Sequence, residues 1–584
     1  MDIDLVRVVE YSDFFHDEAP INIQDVLKMF DRTTLVKTSA VLTSHYGNMS
    51  FPNDRKTLFS KESEKHVDYL DSLCEAYFKR IGLKDGEKVM LLTLRTVLEL
   101  WRNVFAIPTN EFRGTIQAED EKLMLFKVLL TLNEKIMDIN GSDKEEAGGF
   151  SPDELIFLNR FLTNDCNHDD IGTVMRAQMH YFMTLVEYIP KSDVLRKATE
   201  VLFERWEISS WQEYYATILL LLHVINQYQA SNEGGLCVIT PKKIQDTTGL
   251  FSQSLLDCIS IDEDAYIPYD ANQQSRENNV DYRVFRSKPI VRLKGGEDYV
   301  VMNSQLLCER LYNSLYFDLA PLINGKEGSV GYFDYNKDFV ERVLFRNAMF
   351  GCVNKWAYTI PSKKDVDSTE VASQPDFYVR SEVNLLLMEC KAIKMNGDIR
   401  DKGDYRRMLH ELRQKLALKT ENLDSSRRKA TRKDELIGVG QLLRHIDAIE
   451  ESEFEWDTSI PDEVCYYPIL VLEDIRLLQP GLLKILNKWL KELVTERFPK
   501  IDLSKIACKP VVAVSINTLF LHGSLIRRIG LHKLIDAFLN KEAKVVESGT
   551  YYLSATADFE AYMRRHASRK SSSFVDEITE WLKK

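Results

Sequence analysis

From about residue 22 to 258, apolar residues recur three and four positions apart. Val26, Leu27, Met29 and Phe30, the run 124–130, and Val174 to Val186 all carry this spacing, which sets a buried stripe along one face of a helix. Ser151, Pro152 and Glu154 read as a helix start, with Ser at the N-cap, Pro at the first helical position and Glu two positions later. No fixed-period repeat emerges. Residues 1–258 are therefore expected to form a helical domain, with no motif that assigns it a role.

The pattern changes after Cys258. Residues 283–293 and 299–303 read as strands joined by a turn at Gly295 and Gly296, followed by a helix over 305–319. Segment 259–330 is thus a β-hairpin plus helix connector, closed by the loop at Asn324, Gly325 and Gly328. Residues 331–520 then interleave helices and strands. The pattern predicts helix 336–349, strands 355–360, 376–380 and 385–392, helices 400–423 and 434–450, strand 466–472, helix 480–498 and strand 510–516. This order implies an α/β layer around a mixed central sheet. Residues 521–584 read as a helical C-terminal tail, so the whole is a multidomain α plus α/β chain.

Length and composition fit this division. A chain of 584 residues exceeds a single core, and 44% hydrophobic with 28% charged residues is ordinary for globular domains. The N-terminus has no signal-peptide pattern, and the longest apolar run, 216–225, is about half of what a bilayer span needs. Nine cysteines fall without a Cys-x-x-Cys pair, so a cytoplasmic protein away from membranes is expected. A net charge of -13 and a pI near 5.5 exclude a polyanion-binding surface over the whole molecule, leaving only a local one. Residues 391–433 break the trend, with fourteen Lys or Arg against six Asp or Glu.

Candidate chemistry lies just ahead of that basic stretch. Pro375 and Asp376 head a short apolar strand, and after a turn the chain runs through Leu385 to Ala392. Alternation places Leu385, Leu387, Glu389 and Lys391 on one face, with Leu386, Met388 and Cys390 on the other. Apolar residues on both faces mark a strand covered on both sides, where a carboxylate and an ammonium need partners. Asp376, on the neighbouring strand, can supply a second carboxylate. Two carboxylates with water are what Mg²⁺ requires, and Lys391 would position an attacking water or help deprotonate it.

Pro375-Asp376 followed by Glu389-Cys390-Lys391 resembles the PD-(D/E)xK nuclease superfamily over roughly residues 331–516. Pro152-Asp153 and Pro461-Asp462 repeat the first half of the motif, but neither leads into a strand ending in Glu-x-Lys. The resemblance implies a restriction-endonuclease-like αβββαβ core. It makes Asp376, Glu389 and the Cys390 carbonyl ligands of Mg²⁺ (or Mn²⁺), and Lys391 the catalytic lysine. Glu341 would be a further metal-side acid, and Gln441 a catalytic glutamine on the later helix, sharing a face with His445. Arg406, Arg407, Arg413, Lys415 and Lys419, with Arg427, Arg428, Lys429, Arg432 and Lys433, would track a phosphate backbone. The expectation is a Mg²⁺-dependent endonuclease acting on DNA, in the manner of restriction or anti-phage effectors. An RNA-cleaving nuclease of this fold and an inactive nucleic-acid-binding or scaffold protein stay open as alternatives. A homodimer, or a partner protein held by the helical half, is compatible with each.

Overall fold

The computed structural model of the protein describes residues 7–44, 64–82, 89–141, 149–163, 171–231, 236–245, 250–268, 282–353, 374–420, 434–547 and 558–566. They divide into two compact units, one drawn mainly from 1–145 and 163–333, the other from 146–162 and 334–573. Both combine helices with β-sheet. Among the described residues no helix is long and apolar enough to cross a membrane.

The first unit is mainly helical, with long helices such as Leu94–Phe105, Ile171–Tyr188 and Trp211–Ser231. It also holds a four-stranded sheet in the order Val238–Ile239, Tyr299–Val301, Ile290–Arg292, Ser260–Asp262. The middle pair is an antiparallel hairpin across Gly295 and Gly296, but Arg283–Ser287 is helical rather than extended. Segment 259–330 is not a free-standing connector. Ile261, Phe285, Val291, Val300 and Leu306 are buried in one core with Leu98 and Trp101, because strands this short cannot cover their own apolar face. The helix expected over 305–319 is two, Ser304–Glu309 and Leu315–Leu319.

The second unit starts inside the stretch read as the helical half, with α1 (Pro152–Thr163). Its start is capped reciprocally: the Glu154 N–H donates to Ser151 Oγ at 3.3 Å, and the Ser151 N–H to the Glu154 carboxylate at 2.7 Å. Phe157, Leu158 and Phe161 then enter this unit's core, which draws α1 away from the helices on either side of it in sequence. A π-helix, Tyr335–Leu344, runs into α2 (Phe345–Cys352), in place of the one α-helix expected over 336–349.

Next come β1 (Phe377–Ser381) and β2 (Asn384–Lys391), turning through Glu382, whose φ is +55°. The helix expected over 400–423 is interrupted at left-handed Gly403, leaving a short turn of helix before α3 (Tyr405–Leu416). Then follow α4 (Val439–Glu450), β3 (Cys465–Leu472), α5 (Leu482–Arg497), β4 (Ala507–Cys508), β5 (Val512–Ser515), α6 (Ile516–Ile529), α7 (Leu531–Glu547) and α8 (Phe559–His566). The strand expected over 355–360 lies outside the described residues.

The sheet of this unit is mixed. β1 runs antiparallel to β2, β2 parallel to β3, and β3 parallel to β4 and β5, which lie one after the other along the same edge. The gap between β4 and β5 falls beside Pro468 of β3, a residue with no N–H to offer a neighbour. The strand expected over 510–516 is found as β5, over Val512–Ser515, and β4 is a separate short strand ahead of it. Leu385, Leu387, Leu470 and Leu472 face one apolar layer with residues of α1, α3, α4 and α5. On the other face Phe377 packs edge-on to Phe345 and Phe350 of α2, and α2 lies along α6. Over its described residues the stretch 521–584 is accordingly no appended tail: α6 leaves β5 directly and packs along α2.

Two contacts lock this arrangement. A Cβ on Gly440 would fall 2.4 Å from the Ala417 carbonyl oxygen, and one on Gly438, at φ +51°, 2.5 Å from that of Leu416, so α4 approaches the end of α3 only through bare backbone. Gly440→Ala is expected to lower stability by about 1–3 kcal/mol, read as a fall in the urea midpoint. Glu560 of α8, 5% exposed, accepts the Ser515 N–H at 2.5 Å and the Thr518 hydroxyl, and burial pushes its carboxyl up to about 7. A carboxyl raised in the folded state favours folding below its unfolded value, and this contribution disappears as pH rises through about 7. Glu560→Gln should therefore flatten the fall in urea midpoint between pH 5 and pH 8. An unchanged slope would remove Glu560 as its cause.

Candidate active site

β1 begins at Phe377, opposite Met388, so Glu389, Cys390 and Lys391 extend past the end of their antiparallel partner. The N–H groups on that edge need acceptors, and carboxylates provide them. Asp376 Oδ2 accepts the Cys390 N–H at 2.8 Å, and Glu341 Oε1, from the π-helix, accepts the Ala392 N–H at 3.5 Å. A strand residue's carbonyl points to the same edge as its N–H, which turns the Cys390 carbonyl this way too.

On the sheet face, Glu389 is fully buried and both its oxygens are engaged. Oε1 lies 2.7 Å from Nε2 of His445 on α4, and Oε2 accepts from Lys391 Nζ at 3.1 Å. The same Nζ stands 3.6 Å from Asp376 Oδ2. The Lys391 ammonium thus sits between two carboxylates. Asp376, with 29% of its side chain exposed, is the member of this set most open to solvent.

Burial opposes every charge here, and the partners decide the outcome. For Glu389 burial raises the pKa, but Lys391 and His445 outweigh it and the net shift is downward. For Lys391 burial lowers the pKa, and Glu389, Asp376 and Glu341 together carry it above the ordinary lysine value. Lys391 is therefore held as an ammonium, suited to orient a water and unsuited to take its proton. Asp376 moves up to about 7, first through burial and then through the neighbouring Glu389 charge. Glu341 also rises, mainly through burial.

The donors suit a hard divalent cation, since Mg²⁺ binds through one or two carboxylates and keeps several waters. Asp376 and Glu389 already converge on a cation, the Lys391 ammonium. No group of three or more His, Cys, Asp or Glu poised around a metal position occurs among the described residues; Lys391 lies between the two acids.

Of the expected site residues, Asp376, Glu389, Cys390 and Lys391 come together, and Glu341 joins at the strand edge. Gln441 is used otherwise: its side-chain oxygen accepts the Gly438 N–H at 2.8 Å and closes the start of α4. The residue one turn later, His445, is the one that reaches Glu389. The sequence places His445 on the face of Gln441 but gives it no role, and Glu473 is not singled out at all. It follows β3 directly, its N–H donates to the Lys391 carbonyl at 3.3 Å, and burial raises its carboxyl. The signals for both were present: His445 sits four residues from Gln441 on one helix face, and Glu473 ends a strand parallel to β2.

The basic residues are less available than their number suggests. Arg413 pairs with Glu492 and Glu496 of α5, Lys415 with Glu411, Lys419 with Glu435, and Arg407 with Asp404. Arg406 and Arg407 are exposed on α3. Arg427, Arg428, Lys429, Arg432 and Lys433 lie outside the described residues.

Removing one member of a buried ion pair strands the other, at a cost of about 3–5 kcal/mol. Lys391→Met should show that loss in urea unfolding, and Glu389→Gln with Lys391→Met should recover much of it. A double variant no more stable than Lys391→Met would mean the pair is not coupled in this way.

Comparison of the chain with protein-family models, with curated proteins and with solved structures returned no match.

Proposed function

We propose that the second unit is a divalent-metal-dependent phosphodiesterase, a nuclease of the PD-(D/E)xK kind that hydrolyses DNA. The observation that carries this reading is the convergence of Asp376, Glu389 and Lys391 where β2 outruns β1. Asp376 and Glu389, with the Cys390 carbonyl and Glu341 beside them, are the residues that would hold Mg²⁺ or Mn²⁺. When bound, such an ion supplies charge stabilisation at a scissile phosphate and a lowered pKa for an attacking water.

The chain's own groups do the rest. Lys391 donates hydrogen bonds to a water or phosphate oxygen, in the direction its ammonium already offers to the two acids. Asp376, more open than Glu389 or Lys391, is where solvent and substrate meet it. Arg406 and Arg407 are exposed on α3 and are the basic residues there that a phosphate backbone would meet, Arg407 exchanging its pairing with Asp404 for it. A nuclease carried with a large, mainly helical unit accords with an effector against foreign DNA, the first unit receiving a trigger or partner.

One observation favours a second reading. Both oxygens of Glu389 are satisfied within the fold, which is also what a structural ion pair in a non-catalytic binding or scaffold protein would require. Supercoiled plasmid and labelled RNA, each incubated with Mg²⁺ or Mn²⁺, separate the cases. Wild type should nick the plasmid, and Asp376→Asn should reduce nicking by about 100-fold or more. Equal nicking by both would refute the catalytic assignment, and preferential cutting of RNA would change the substrate.

A further inference from the structure

Glu389 has one neighbour that the charge pairing does not account for. His445 is fully buried on α4, and its Nε2 lies 2.7 Å from Glu389 Oε1. Glu389 pairs with the Lys391 ammonium through Oε2, and a carboxylate so paired only accepts, which makes His445 Nε2 the donor in this contact. The other ring nitrogen, Nδ1, is buried and meets no hydrogen-bond partner among the described residues. A buried polar atom without a partner costs about 1–3 kcal/mol. An apolar side chain of similar size would avoid that cost but would leave Glu389 Oε1 buried without a donor, so the imidazole is explained by what it does for Glu389.

We infer that His445 is a positioning residue: it holds Glu389 Oε1 so that Oε2 is turned toward Lys391 and the cation position beside Asp376. The inference rests on the metal-binding reading given above and deepens it. A carboxylate at a strand end has rotamers to choose from, and Lys391 alone engages only one of its two equivalent oxygens. The Nε2 donor holds the other and so fixes the plane of the group. The position of His445 is in turn set by the N-terminus of α4, where Gly438 and Gly440 allow the helix to close on α3 and Gln441 caps the first turn. A donor that orients a ligating group in this way typically changes metal affinity by about 10–100-fold.

The test is Mn²⁺ binding to the full chain, followed by electron paramagnetic resonance of the free ion, with thermal melting of each variant run alongside. His445→Leu should weaken Mn²⁺ binding by about 10–100-fold while remaining folded. His445→Gln, which keeps an N–H at a similar reach, should restore most of it. Asp376→Asn marks the loss of a ligand. Wild-type affinity in His445→Leu, or no recovery in His445→Gln, would overturn the role of His445 while leaving the metal site in place. Failure of the wild-type protein to bind Mn²⁺ at all would overturn the metal-binding reading and the inference with it. If His445→Leu does not fold, the outcome is decided by His445→Gln alone: near-wild-type affinity supports the inference, and a loss as large as that of Asp376→Asn contradicts it.

Discussion

A carboxylate and an ammonium buried side by side at the end of a central strand are the constraint around which the second unit is arranged. Taking two such charges out of water costs several kcal/mol each, and their attraction compensates only with good geometry and further hydrogen bonds. Glu389 and Lys391 receive both. His445 engages the remaining oxygen of Glu389, and Asp376 stands 3.6 Å from the ammonium. Two acids thus share one cation. A folded protein has little reason to assemble such a group in its interior for stability alone, since a well-packed apolar pair of similar volume often serves as well.

The surrounding architecture follows from strand lengths. β2 is longer than β1, and the edge left open gathers Asp376 and Glu341 as backbone acceptors. β3 runs parallel to β2 over its whole length, with Leu470 beside Glu389 and Leu472 beside Lys391. It closes the other side and delivers Glu473 to the same end. α4 lies over this end because two glycines let it approach the chain after α3. The cluster of Asp376, Glu389 and Lys391 therefore sits at one end of the sheet, where a strand edge, a helix face and the π-helix meet.

Much of this was legible beforehand, for identifiable reasons. Leu385 to Ala392 reads as a doubly covered strand because both of its alternating faces are apolar, and the burial of Leu385 and Leu387 in one layer, apart from Met388, reflects that alternation. The hairpin linking Asp376 to Glu389 followed from a short polar turn between two apolar runs. What escaped was decided by contacts distant in sequence. Nothing local to Pro152–Thr163 tells that its aromatic residues join a core built from residues beyond 370. Nor does anything local to Ile261 or Phe285 assign them to a core with Trp101. Gln441 and His445 share a helix face, so periodicity could not choose between them. The choice was made by Gly438, whose free N–H captures Gln441 and leaves His445 to reach the strand. The count of basic residues after Lys391 likewise said nothing of the acids on α5 and elsewhere that pair with them.

The central claim is that the space shared by Asp376, Glu389 and Lys391 accepts a divalent cation. Anomalous diffraction from crystals soaked in Mn²⁺ tests it most directly. The expected result is a peak at bonding distance from both carboxylates, with the Lys391 ammonium displaced from between them. A well-ordered site with the ammonium still in place and no anomalous peak at saturating Mn²⁺ would contradict it.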